Sequence, residues 1–180
     1  MQATPKSPTQ VEITWTDNSD NEDDFIISRS AAGSGGPWTE AGRVNANVKT
    51  FTDNGVQANT TYYYQVCAAN KAGQACATAS KITTPVLAPA APAALNVSIK
   101  GTTATLTWKD NANNETENEI QRKEDNGPFS DYGKIGAVDG SGAATDTKLS
   151  TGKTYCYRVR ATNAGGASAY SNEACAATLP

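Results

Sequence analysis

Along Thr61–Gly73 the residues Tyr62, Tyr64, Val66 and Ala68 fall at every second position, and the same spacing returns at Tyr155, Tyr157, Val159 and Ala161. A period of two predicts a strand with one buried face. Both runs close on Asn-x-x-Gly, at Asn70–Gly73 and Asn163–Gly166, which is turn chemistry. Upstream, Val11, Ile13 and Trp15 alternate with polar neighbours, as do Ala104, Leu106 and Trp108. Phe25 and Ile27 open a further strand that ends at Arg29, echoed by Ile120 and Arg122. Trp38 to Val44 and Lys49 to Asp53 read as short strands, and a last strand should run from the Asn70–Gly73 turn to about Thr84. No segment carries an apolar stripe of helical period. About seven short strands per unit, separated by turn signals, predict an all-β chain of antiparallel sandwiches.

Matching positions lie 93 residues apart: Trp15 and Trp108, Asp17 and Asp110, Arg29 and Arg122, Tyr62 and Tyr155. One unit is therefore written twice, with expected domains at 1–85 and 94–180. Between them, residues 86–93 belong to a Pro- and Ala-rich stretch that cannot form a central strand and reads as a semi-rigid linker. Gly127-Pro128-Phe129 answers Gly36-Pro37-Trp38 at a spacing of 91, so the loop between has lost two residues in the second unit. Asn118 stands where Phe25 stands in the first unit. A looser core is expected at that corner.

These residues resemble tandem fibronectin type III domains, of the kind strung through bacterial extracellular proteins. The resemblance rests on Trp15 and Trp108, and on the Asx-rich loops with Asp17, Asn18, Asn21, Glu22 and Asp110, Asn111, Asn114, Glu115. It rests also on Ile27-x-Arg29 and Ile120-x-Arg122, on Val56 or Leu149 six residues ahead of Tyr62 or Tyr155, and on the Asn-x-x-Gly turns. It implies a seven-stranded immunoglobulin-like sandwich in each half, with Trp15, Trp108, Tyr62 and Tyr155 as structural core. Tyr62 and Tyr155 would then form the tyrosine corner, whose hydroxyl bonds back to nearby backbone. No Arg-Gly-Asp tripeptide occurs.

The net charge of −3 over 180 residues suits neither nucleic acid nor an anionic membrane, and no apolar run reaches the roughly 20 residues of a membrane span. The chain starts where a first strand should start and stops at Thr178-Leu179-Pro180, much as the first unit stops at Thr84-Pro85. It reads as a piece of a longer protein. Four cysteines, no CxxC pair and no histidine speak against a zinc site. Opposed residues of a hairpin share a constant sum of residue numbers. Cys67 with Cys76, and Cys156 with Cys175, agree in that sum to within a bulge once the repeat is removed. Each pair can bridge the same hairpin, which implies an oxidising compartment; free thiols in cytosol are the alternative. Cys67 and Cys156 have the parity opposite to the buried tyrosines and are expected to face outward.

For catalysis there is no histidine base, and Ser34-Gly35-Gly36 lacks the Lys-Ser/Thr of a phosphate loop. The expectation is a chain that is not an enzyme, with no catalytic residues, metal or cofactor. The carboxylates Asp17, Asp20, Glu22, Asp23 and Asp24 offer oxygens for calcium but lack the spacing of a calcium loop, and solvated Asx-turns account for them. Trp38, Phe129 and Tyr132, on what should be an edge strand, either stack on a sugar or protein partner or close the edge of the core. Arg158 and Arg160 beside Lys153 form a basic stripe, read as a solvated face paired with local acids. Asn59, Asn96 and Asn114 sit in Asn-x-Ser/Thr sequons. The functional expectation is a non-catalytic extracellular module, acting as spacer and protein-interaction surface in a larger secreted or cell-surface protein. Its partners would be neighbouring domains. The alternative is an adhesion module for carbohydrate or protein, using the edge aromatics Trp38 and Phe129 or the Asx-rich loops.

Overall fold

A computed structural model describes residues 1–180, which form two compact units, Met1–Leu87 and Ala88–Pro180. Unit 1 contains β1 (Gln2–Ser7), β2 (Gln10–Thr14), β3 (Asp24–Ser30), β4 (Thr39–Asn45), β5 (Thr50–Asp53), β6 (Thr61–Asn70), β7 (Gly73–Cys76) and β8 (Ser80–Thr83). Unit 2 repeats them as β9 (Ala93–Lys100), β10 (Thr103–Lys109), β11 (Glu117–Glu124), β12 (Ser130–Gly136), β13 (Ser141–Asp146), β14 (Thr154–Asn163), β15 (Gly166–Ala167) and β16 (Ala174–Ala177). One sheet of unit 1 runs β1-β2-β5; the other runs β4-β3-β6, with β7 and β8 both on the far edge of β6. Unit 2 has the same order, β9-β10-β13 against β12-β11-β14 with β15 and β16. Every pairing is antiparallel. No helix is long and apolar enough to cross a membrane.

The last strand of each unit is broken in two, so eight elements stand where seven strands are expected. In unit 2 the interruption is bridged by serine hydroxyls. Ser168 and Ser171 accept the Ala161 and Val159 amides of β14 on Oγ, while their own amides donate to the same two residues' carbonyls. Small polar side chains thereby replace ladder partners where the strand bulges away.

Each core is filled by alternate residues of both sheets. Val11, Ile13, Phe25, Ile27, Tyr64 and Val66 are buried in unit 1; Ala104, Leu106, Trp108, Ile120, Tyr157 and Val159 are buried in unit 2. The two cores differ in where their rings come from. In unit 1 Phe51 of β5 lies against Gly42 of β4, where a Cβ would fall inside the ring. In unit 2 the counterpart of Phe51 is Ala144, and the ring comes instead from Tyr132 of β12, where unit 1 has Ala41. Trp108 lies across Gly142 in the same close manner, so no side chain fits there. Trp15 packs on Phe25 with ring centroids 5.4 Å apart. Its counterpart contact is lost in unit 2, because Asn118 replaces the phenylalanine. Asn118 is fully buried; its Nδ2 donates a long 3.4 Å hydrogen bond to the Gly136 carbonyl and its Oδ1 has no partner.

Cys67 is joined to Cys76 and Cys156 to Cys175, each pair directly opposed across the hairpin. The expected outward exposure of Cys67 and Cys156 is not found: both are only 4% exposed. Parity places them on the outer face of the sheet. Their strands are interior to it, however, with a neighbour on one side and the bonded cysteine on the other.

Candidate functional site

Three places gather chemically capable side chains: the buried charges between the sheets, the aromatics near the edge strands, and the loop that joins the sheets at one pole. The first is repeated in both units. Arg29 donates to both carboxylate oxygens of Asp53 at 2.7 Å, and Tyr64 donates to Asp53 Oδ2 at 2.8 Å. Arg122, Asp146 and Tyr157 repeat this at 2.8 and 2.9 Å, with the Lys148 amide completing the set on Asp146 Oδ1. Asp53 and Asp146 are 3% and 0% exposed, and such charges persist only when paired and hydrogen-bonded. Burial works against the charge on Asp146, but the Lys148 amide, Arg122 and Tyr157 outweigh it and hold its pKa below the ordinary value. Burial first, and then the bond to the neighbouring carboxylate, raises the pKa of both Tyr64 and Tyr157 far above the usual tyrosine range. Each triad therefore ties its buried carboxylate to an arginine and a tyrosine of the facing sheet. It is a clamp between sheets. Its signal in the sequence is plain once sought, since Arg29, Asp53 and Tyr64 all recur 93 residues later.

Beside each triad the Tyr62 hydroxyl accepts the Gln57 amide at 3.1 Å, and the Tyr155 hydroxyl accepts the Ser150 amide at 3.0 Å. Tyr62 and Tyr155 are buried, as are Trp15 and Trp108. The sulfurs of Cys156 and Cys175 cluster with a Glu173 carboxylate, but they are bonded to one another, which leaves no thiolate for a metal.

Trp38 and Phe129 are half-buried and lie one residue ahead of β4 and β12, in different units. Tyr132 packs against the core, meets Tyr157 edge-on at 6.3 Å and donates its hydroxyl to the Thr145 carbonyl. Cations of its own unit approach the ring of Phe129, with Arg158 at 4.2 Å and Lys123 at 4.8 Å. Arg158 lies 3.9 Å over Tyr170 as well, and Arg160 pairs with Glu119. The basic stripe is thus taken up by rings and acids of its own sheet.

The Asx-rich loops are held by the residues that mark them. Asp17 and Asp110 accept the amides two residues on. Glu22 accepts the Asn47 amide and Glu115 the Val138 amide. Asn70 and Asn163, from the hairpin turns, donate to the Asn21 and Asn114 carbonyls. No three carboxylates of this loop bring oxygens to a common point. In unit 1 the loop arches over the β6–β7 hairpin and leaves a cleft of about 580 Å³. Trp15, Phe25 and Val66 line it, with Met1, Asn18 and Ala77. Sequence reasoning does not find this cleft, because it arises from three segments distant along the chain.

No protein-family model matches the chain, and no curated protein matches it. Among solved structures, a two fibronectin type III domain segment from chicken tenascin superposes with a TM-score of 0.54 and 14% identity, covering 98% of this chain and 97% of that one. The FN1–FN3 domains of chicken CNTN1 align over 99% of this chain at 18% identity and a TM-score of 0.49, and this chain spans 64% of that segment. A structure of titin kinase and its flanking domains aligns over 52% of this chain and 18% of its own, at 20% identity and a TM-score of 0.45. The tenascin likeness establishes the fold: two fibronectin type III sandwiches in tandem.

Proposed function

We propose that this chain is a non-catalytic extracellular module that spaces and presents interaction surfaces within a larger secreted or cell-surface protein. Its working parts are domains at 1–85 and 94–180 joined by residues 86–93. The observation that carries the reading is that each unit devotes its reactive groups to holding itself together. All four cysteines are bonded in pairs, and the buried carboxylates of Asp53 and Asp146 are each spent on an arginine and a tyrosine. Disulfides of this kind suit an oxidising compartment. What is left to act is surface: loops, outer faces and poles. Partners on this reading are neighbouring domains and other proteins, and no cofactor enters.

Thiol counting on protein recovered from its native source tests the compartment: no free thiol is expected, and free cysteines in the folded protein overturn an extracellular role. Binding to arrayed polysaccharides tests the function. A spacer gives no saturable signal, whereas one that Trp38→Ala or Phe129→Ala abolishes would make the chain a dedicated carbohydrate binder.

A further inference from the structure

Each sheet ends on strands whose outer backbone groups lack a ladder partner, and such edges are ordinarily guarded. Here β1, β4, β9 and β12 each carry a bulge, and β1 adds Pro5 and Lys6. β5, β7, β8, β15 and β16 have four residues or fewer. β13 is the exception. It pairs with β10 over six residues without a register shift, holds no proline, and shows no charged side chain from Ser141 to Thr145. Hydrogen bonds alternate along an antiparallel pair, so every second residue of an edge strand turns both its N–H and its C=O outward. The Asp110 amide donates to the Gly140 carbonyl, which fixes the alternation: Gly142, Ala144 and Asp146 bond to β10, and Ser141, Ala143 and Thr145 face the free edge. Two of the outward groups are already engaged. The Ser141 amide donates to the Asp139 carbonyl, and the Thr145 carbonyl accepts the Tyr132 hydroxyl. That leaves the Ala143 N–H and C=O, the Thr145 N–H and the Ser141 C=O.

We propose that β13 pairs with β13 of a second copy of this chain, antiparallel and two-fold symmetric about Ala143. In that register each Ala143 amide donates to the other copy's Ala143 carbonyl, and each Thr145 amide donates to the other copy's Ser141 carbonyl. The groups left over within one chain are thus complementary to themselves, as a two-fold interface requires. The β9-β10-β13 sheets of the two copies become one continuous sheet. The exposed side chains that meet are Ser141, Ala143 and Thr145, all small and uncharged. Asp139 lies ahead of the strand and Lys148 beyond it, both exposed and neither in an ion pair. The antiparallel register brings Asp139 of one copy to the end of the strand from which Lys148 of the other follows, so opposite charges meet at both ends of the interface. The pairing does not draw on the extracellular reading, which stands if the pairing fails.

Sedimentation velocity of the 180-residue chain, followed from micromolar to millimolar concentration, should show a monomer–dimer equilibrium. Hydrogen exchange at the Ala143 and Thr145 amides should slow as the concentration rises. Ala143→Pro removes the donor of both central bonds at a position that gives β10 no hydrogen bond, and should weaken association about tenfold or more with the unit still folded. Ala143→Lys sets like charges across the two-fold axis from an exposed position, and should give the same loss without any change to the backbone. Asp139→Lys should weaken association several-fold, and adding Lys148→Asp should restore it. A chain that stays monomeric at millimolar concentration, including one whose β13 amides are protected only by a strand of another protein, overturns the self-pairing. So does a dimer that survives both substitutions at Ala143, or one that leaves exchange at Ala143 and Thr145 unchanged.

Discussion

Asp146 has no solvent exposure, yet its surroundings favour its charge. Its pKa in the folded protein lies below the value in an unfolded chain, near 3.9, so the stability it contributes is fully present above that value. It is lost as the pH falls through the folded pKa. Stability of unit 2 should therefore be flat from neutral pH to about pH 5 and fall below about pH 4, as followed by the Trp108 indole signal in urea at each pH. Asp146→Asn should remove much of that acid dependence and cost about 2–4 kcal/mol at pH 7, somewhat less than a wholly buried pair because Arg122 keeps partial exposure. Asn118 offers the opposite case. One of its polar atoms is buried with no partner and the other makes only a long bond, while Phe25 occupies the corresponding place in unit 1. Asn118→Leu should stabilise unit 2 by about 1–2 kcal/mol, the scale of an unmet hydrogen-bonding group removed from a core. A loss of stability on urea unfolding would mean that the bond to Gly136 outweighs the orphaned oxygen.

At the scale of elements, the disulfides fix the hairpins that carry the interior strands β6 and β14. They close loops with sequence separations of 9 and 19 residues. On the chain-entropy account the first contributes up to about 2.5 kcal/mol and the second up to about 3 kcal/mol. Double alanine variants, Cys67→Ala with Cys76→Ala and Cys156→Ala with Cys175→Ala, should show losses in that order by urea unfolding. A larger loss at the shorter loop would mean that chain entropy does not set the order, since Cys67 and Cys156 are equally buried. How far such elements are legible in a sequence depends on contrast. The period-two runs of β2, β10 and β14 set apolar residues at alternate positions, so strand and face are both readable. β7, β8, β15 and β16 are only two to four residues long and consist largely of small residues with little contrast, and the break in the last strand leaves no mark. Parity assigns Cys67 to a face but says nothing of what covers that face. Tyr132 looks like an exposed ring beside Ala41 of the other unit. Only pairing that change with Phe51 against Ala144 reveals one core ring moved from one strand to another.

For the molecule as a whole, the repeat decides what can be separated. Each unit holds its own buried cluster, its own Arg–Asp–Tyr clamp and its own disulfide, and none of these draws a residue from the other unit. The sequence period makes this visible without coordinates. Stability arising within each unit has a direct consequence for fragments. Residues 1–87 and 88–180, cut at the boundary between the compact units, should each fold and unfold cooperatively. In the intact chain, Asp146→Asn should lower the transition reported by Trp108 and leave the one reported by Trp15 within about 0.5 kcal/mol, since sites without shared partners add independently. The assigned indole signals of Trp15 and Trp108, followed through a single urea series, resolve both transitions at once. If the Trp15 transition shifted together with that of Trp108, or if either fragment alone gave the collapsed spectrum of an unfolded chain, the units would have to be treated as one cooperative body.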